Sequence, residues 1–171
     1  MDIRIALHLE QIPRHADTMV SLGRVHEARG QFAEAERLYT EGLAIQRASS
    51  PSGSAGTATA LLSLGHVMVA KRNSAGAEPL LREALSFRRQ SLPAGHASIA
   101  VAEAALGDCL LQQSKWPEAE TLLVSALKTV PTGPTASQYT KKSVLELLVT
   151  LYVKSGKPDE AAKYRAQMHG S

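Results

Sequence analysis

Three residues with cationic, basic and acidic side chains recur at one spacing along the chain. Arg24, His66 and Asp108 are each separated by 42 residues. An imidazole next to a carboxylate is a pair that general acid–base catalysis uses. If the three residues lie on adjacent packed helices, however, the helix axes are ~8–10 Å apart, and His66 meets Asp108 only when both side chains lean together. The spacing therefore favours a structural or ligand-facing pair over a catalytic one, and we expect no enzyme activity.

The other reactive side chains show no catalytic or metal-binding pattern. Cys109 is the single cysteine and has no base beside it in the sequence, so we expect a buried, inert thiol. A single cysteine cannot form an internal disulfide, which fits a reducing compartment. No two of the six histidines are three or four residues apart, so the sequence gives no support to a metal site on a helix. We expect no cofactor.

Composition and charge narrow the class of protein. The chain has 171 residues, of which 20% are charged, and its net charge is +3. The small imbalance, without a basic block, argues against a nucleic-acid partner. The N-terminal residues have no signal-peptide pattern, and the longest apolar run, residues 144–153, is interrupted by Glu146 and too short to span a bilayer. We therefore expect a soluble cytoplasmic protein that does not bind membranes.

The 42-residue spacing extends over most of the chain and marks internal repeats. Three further register positions repeat the same residue type: the glycines are Gly23, Gly65 and Gly107, the alanines are Ala35, Ala77, Ala119 and Ala161, and the leucines are Leu43, Leu85 and Leu127. Apolar residues at helical spacing lie on both sides of a polar turn in each repeat, and Ser-, Gly- and Pro-containing linkers separate the repeats. Such a period is typical of stacked units that are each too small to bury their own apolar face. The sequence therefore predicts an all-α fold.

Four repeats are predicted within residues 14–169. Their approximate bounds are 14–48, 55–91, 96–129 and 136–169. In the last repeat Val149 replaces the glycine and the second helix is polar, as a terminal repeat facing water requires. Pro13 is expected to end or restart a helix, which would leave residues 1–12 as a short extra helix. That segment is either an N-terminal capping helix or the remnant of a preceding repeat, and the sequence does not decide between them.

The order of small and large residues within each repeat resembles a known family. A small residue late in the first helix is followed twelve residues later by alanine, and four residues after that by a bulky residue. The bulky residues are Tyr39, Leu81 and Leu123. This resembles the knobs and small holes of tetratricopeptide repeats. HEAT and armadillo repeats have similar periods, but the spacing inside the helix pair is that of tetratricopeptides.

The 42-residue period is itself similar to that of one branch of this family. The segment from Leu81 to His96, followed by Leu106 and Gly107, resembles the unit of kinesin-light-chain-type tetratricopeptides, which also occur in bacterial multidomain proteins. The resemblance covers about residues 14–169. It implies a right-handed α-solenoid of antiparallel helix pairs that binds a protein or peptide on the concave groove lined by the first helix of each repeat.

The residues with which kinesin light chains hold a peptide backbone are missing. That family usually has paired asparagines just before the small residue of the first helix. The pairs here are Val20-Ser21, Leu62-Ser63, Ala104-Ala105 and Glu146-Leu147. The resemblance therefore implies the mode of binding and not the identity of the partner.

In that mode, three columns of first-helix residues are expected to face the concave groove. The first column is Val20, Leu62, Ala104 and Glu146; the second is Arg24, His66, Asp108 and Thr150; the third is Glu27, Val69, Leu111 and Val153, with Lys154 beside it. The first and third columns are mostly apolar and the second is polar with changing sign. Exposed apolar columns rimmed by charge suit an amphipathic or extended peptide. The alternative is that Leu62, Val69 and Leu111 only pack between helices.

Two functions remain open from the sequence. The first is a protein–protein interaction module that holds a peptide or partner domain in the concave groove. The second is an architectural or oligomerisation segment of a larger bacterial signalling protein, for example a kinase-associated repeat region. Such a segment would make its contacts through the ends of the array and have no peptide ligand of its own.

Overall fold

Alternating helices and short turns account for the ordered elements of the chain. A computed structural model describes residues 3–130 and 139–169, with side chains over 14–130 and 139–168. Eight helices and no strand occur within these ranges. The helices are α1 (Ile3–Ala28), α2 (Phe32–Ser49), α3 (Ala55–Ala70), α4 (Ser74–Ser91), α5 (Ala97–Gln112), α6 (Trp116–Leu127), α7 (Lys141–Lys154) and α8 (Pro158–His169). They fall into two compact units divided between Phe87 and Arg88.

The turn inside each helix pair has the same backbone geometry. One residue per turn has a positive φ: Gly30 (73°), Arg72 (65°), Ser114 (60°) and Gly156 (74°). These four positions are again 42 residues apart. A left-handed residue just after a helix reverses the chain direction, which glycine does without strain and Arg72 and Ser114 do at some cost. The register of the sequence therefore extends to the backbone of the turns.

The glycines of the first helices lie directly against the bulky residues of the second helices. A Cβ atom added to Gly65 would lie 2.5 Å from Leu81 Cδ2, and one added to Gly107 would lie 2.7 Å from Leu123 Cγ. At Gly23 the corresponding neighbour is the Tyr39 ring, whose Cε1 atom would be 2.6 Å away. No real side chain fits at such distances, so the glycines allow the two helices of each pair to approach closely.

Within each unit, one helix pair packs on the next. In the first unit, α1 packs on α2 and α3, and α2 packs on α3; in the second unit, α5 packs on α6 and α7, α6 packs on α7, and α7 packs on α8. A second helix therefore lies between its own first helix and the first helix that follows. This arrangement confirms the predicted all-α class of stacked helix pairs.

The N-terminal helix departs from the prediction. The expected helix boundary at Pro13 is wrong, because α1 is one helix of 26 residues that begins at Ile3. A proline inside a helix removes one backbone hydrogen bond and costs about 3 kcal/mol. The residues before it, Ala6 to Gln11, are mostly good helix formers, and the backbone continues through. Whether residues 1–12 cap an array or continue one stays a prediction. Residues 136–138 of the predicted fourth repeat lie outside the described residues.

We predict that alanine at the first-helix glycines destabilises the fold. Gly65→Ala and Gly107→Ala place a methyl group against buried leucines, and we expect a loss of about 1–3 kcal/mol from overpacking. Gly76→Ala in α4 is the matched control, because its Cβ would meet only the flexible ends of Met68 and Asn73. There the better helix propensity of alanine should leave stability unchanged or raised. Denaturant unfolding of the three variants measures this, and equal midpoints would contradict the assigned helix contacts.

Candidate functional site

The polar column of the first helices lies at the surface of both units. In the first unit, Arg24 is exposed and His66 is half-buried; in the second unit, Asp108 is half-buried and Thr150 is exposed. Beside this column in α7, Glu146 and Lys154 are also exposed. The polar positions predicted for the groove are thus accessible to a partner.

The apolar members of the other two columns have a different environment. Val20, Leu62 and Val69 are buried in the first unit, and Ala104 and Leu111 are buried in the second, each at least nine-tenths covered. In the first unit, α1 and α3 are adjacent, which sequence spacing alone does not reveal. The structure favours the alternative that Leu62, Val69 and Leu111 pack between helices. Val153, by contrast, is 51% exposed.

A hydrogen-bonded cluster joins three helices of the first unit at Glu27. The Nδ1–H of His66 on α3 donates to Glu27 Oε1 at 2.5 Å, and the Tyr39 hydroxyl on α2 donates to Glu27 Oε2 at 2.5 Å. Burial acts to raise the pKa of Glu27, but the bonds from His66 and Tyr39 and the charges of His66 and Arg24 outweigh it and lower that pKa. Burial and the bond to Glu27 also raise the pKa of Tyr39.

This cluster holds α1, α2 and α3 together rather than activating a nucleophile. Both carboxylate oxygens of Glu27 are occupied, and the ring of Tyr39 is completely buried beneath Gly23. The spacing of the sequence predicts Glu27 and His66 near the groove, but it does not predict the bond from the Tyr39 hydroxyl. One signal could have found it: tyrosine occurs where the second and third repeats have leucine, and a buried phenol needs a hydrogen-bond partner.

The second unit uses tyrosine hydroxyls in the same way. The Tyr139 hydroxyl, just before α7, donates to Asp108 Oδ2 on α5 at 3.1 Å. The Tyr152 hydroxyl on α7 donates to Glu120 on α6 at 2.8 Å, and Lys157 lies 3.7 Å from the same carboxylate. Burial and the bond to Glu120 raise the pKa of Tyr152. Asp108 is therefore engaged by a neighbouring element, as His66 is in the first unit.

The remaining side chains that the structure describes do not form a reactive centre. Cys109 is fully buried and accepts a hydrogen bond from Gln113 Nε2 at 3.6 Å, which fits the predicted inert thiol. Within residues 3–130 and 139–169, no cluster of histidine, cysteine or carboxylate side chains has the make-up of a metal site. None of the helices in that part of the chain is long and apolar enough to cross a bilayer.

Comparisons with known proteins identify the repeat. Two family models, both described as tetratricopeptide repeat, match residues 15–51 and 56–131. A search of curated protein sequences finds no match.

Among solved structures, the kinesin light chain of Podospora anserina with nearly identical TPR-like repeats is 21% identical. It superposes with a TM-score of 0.76 over 91% of this chain and 74% of that one. BtubC (BKLC) from P. vanneervenii is 19% identical with a TM-score of 0.72, and PilF of Pseudomonas aeruginosa is 17% identical with a TM-score of 0.61. The chain covers 65% of BtubC and 60% of PilF, and 91% of it is matched in each case. At these identities the likeness concerns the fold.

We predict that Glu27→Gln destabilises the protein in a pH-dependent way. Because the pKa of Glu27 is lowered in the folded state, its carboxylate stabilises the fold above the ordinary value of 4.5 and loses this effect as the pH falls below it. We expect a deficit of about 1–2 kcal/mol at neutral pH, from two weakened charge-assisted bonds, that narrows below pH 4.5. Glu146→Gln, at an exposed position, is the control. A deficit that stays constant or widens in acid would contradict this assignment.

Proposed function

Because the chain belongs to the tetratricopeptide repeat family, whose members are generally protein–protein interaction modules, we propose that it binds a protein or peptide along the first helices of its repeats. Proteins of this family are typically scaffolds without enzyme activity. The observation that carries the proposal is the polar column: four residues in one register, Arg24, His66, Asp108 and Thr150, reach the surface of their units.

The charges along this column specify a partner of mixed polarity. The first unit presents Arg24 together with His66, and the second presents Asp108, Glu146 and Lys154. An acidic portion of the partner would lie nearest Arg24, the exposed cation of the column in the first unit. Glu146 and Lys154 have charges of opposite sign, which suits a polar portion of the partner.

The burial of the apolar columns limits how tightly such a partner binds. Leu62, Val69 and Leu111 are buried and offer a partner little apolar surface. Exposed ion pairs each contribute only ~0.2–1 kcal/mol and weaken with salt. We therefore expect modest, salt-sensitive affinity, with Val153 the one large apolar side chain of the described columns that a partner can cover.

An architectural role is the second candidate. The same burial supports it, because buried apolar columns leave less apolar surface for a peptide. An architectural segment makes its contacts at the ends of the array instead. The two candidates differ in which surface binds, so mutations separate them.

We predict that peptides selected from a random display library on the full chain contain acidic residues and depend on Arg24. Arg24→Glu should weaken a selected peptide by roughly two- to fivefold at low salt, with a smaller effect at high salt. Arg37→Glu, an exposed arginine on α2, is the matched control and should bind like the unmodified chain. Titration by fluorescence anisotropy measures both. Loss of binding in Arg37→Glu alone would place the working surface on the second helices and refute the proposal.

A further inference from the structure

One face of α1 exposes apolar side chains between two arginines. Leu22 and Val25 are 44% and 45% exposed. Together with Arg14, Thr18 and Arg29, which are also exposed, they follow helical spacing along one side of the helix. We call these five residues the outer stripe of α1. A soluble helix rarely leaves two adjacent aliphatic residues half uncovered on the same face unless something packs there.

The other repeats show what packs on this face. Register equivalents of Thr18, Leu22 and Val25 are Ala60, Leu64 and Val67 in α3, and Val144, Leu148 and Leu151 in α7; all six are buried. In the first unit α3 packs against the preceding second helix, α2, and in the second unit α7 packs against the preceding second helix, α6. The face that is open on α1 is therefore covered on α3 and α7 by a second helix.

At these covered faces the glutamates of the second helices share one register position, and each has a lysine partner. Lys71, at the end of α3, pairs with Glu36 on α2. In the second unit Glu120, the register equivalent of Glu36, accepts from the Tyr152 hydroxyl and pairs with Lys157. Arg29 is the register equivalent of Lys71, and it is exposed. The outer stripe thus ends in a cation, Arg29. Its equivalent in α3, Lys71, pairs with a glutamate of the preceding second helix.

We propose that the outer stripe of α1 docks an amphipathic helix with an apolar stripe and a glutamate on its margin, of the kind that α2 presents to α3. This docking surface is separate from the groove of the proposed function and does not depend on it. The occupant belongs to another helix pair of the same repeat type, because the apolar spacing and the position of the cation both match that partner.

Charge argues against a second copy of this chain as the occupant. Two outer stripes packed together would bring Arg14 and Arg29 of one copy against the same arginines of the other, in either relative direction. α8 of a second copy does not match either, because the register equivalent of Glu36 there is Ala162. Glu160 of α8 is already paired with Lys163. A helix with a glutamate at the margin of its apolar stripe avoids the repulsion between arginines and supplies the missing carboxylate.

The probe is a peptide of residues 31–50, which carries the sequence of α2. Arg37 is changed to lysine in the peptide and joined by a lactam to Glu41, since these two exposed positions are one turn apart and the link lowers the cost of ordering the helix. Binding to the full chain is measured by fluorescence anisotropy. Leu22→Asp and Val25→Asp should each weaken binding by about tenfold or more. Phe32→Asp, at an exposed apolar position outside both the outer stripe and the groove columns, is the control and should have no effect.

A charge swap tests the position of the glutamate. Arg29→Glu in the chain, or Glu36→Lys in the peptide, should each weaken binding by roughly two- to fivefold, and the two changes together should restore it. Absence of binding, or binding that Leu22→Asp leaves unchanged, overturns the proposal. Self-association of the chain that Leu22→Asp abolishes would also overturn it, in favour of a second copy. Circular dichroism confirms that each variant folds, as expected for changes at exposed positions.

Discussion

The close approach of the two helices in each pair is the constraint on which the rest of the structure depends. A glycine on the first helix leaves room for a large side chain of the second helix: Leu81 packs against Gly65, and Leu123 packs against Gly107. The approach fixes the rotation of both helices about their axes. Once the rotation is fixed, the opposite face of the second helix is left to cover the next first helix. One residue with a positive φ recurs every 42 residues, in the turn of each pair. It reverses the chain direction within a short turn, so that the second helix runs back along the first.

Much of this could be predicted from the sequence because the repeat is visible in residue types. The glycine and alanine positions predicted the helix contacts, and the polar turns predicted the ends of the helices. The continuation of α1 through Pro13 could not be predicted, since a proline inside a helix has a cost that neighbouring helix formers can offset. The burial of Leu62, Val69 and Leu111 could not be predicted either, because an aliphatic residue on a first helix has the same spacing whether it faces a groove or an adjacent helix.

Hydrogen bonds between polar side chains show which elements of a unit are joined, and the spacing of apolar residues does not. Glu27 binds both Tyr39 and His66, and Asp108 binds Tyr139, so residues that the sequence placed in one column hold elements of their own unit together. The exposed positions of the three predicted columns are therefore mostly polar, with Val153 the exception. Two further exposed aliphatic residues, Leu22 and Val25, lie on the outer stripe of α1. The mostly polar columns and the partly apolar outer stripe of α1 are therefore two different exposed surfaces.

The most direct test of the helix contact on which this account depends is a double-mutant cycle between Gly65 and Leu81, measured by denaturant unfolding. Leu81→Ala removes the side chain that fills the space beside Gly65. In that background a methyl group at position 65 should have room, so Gly65→Ala should become neutral or stabilising, with a coupling energy of about 1–3 kcal/mol between the two changes. If the costs of the two substitutions simply add within about 0.5 kcal/mol, Gly65 and Leu81 do not share a contact and the account is wrong.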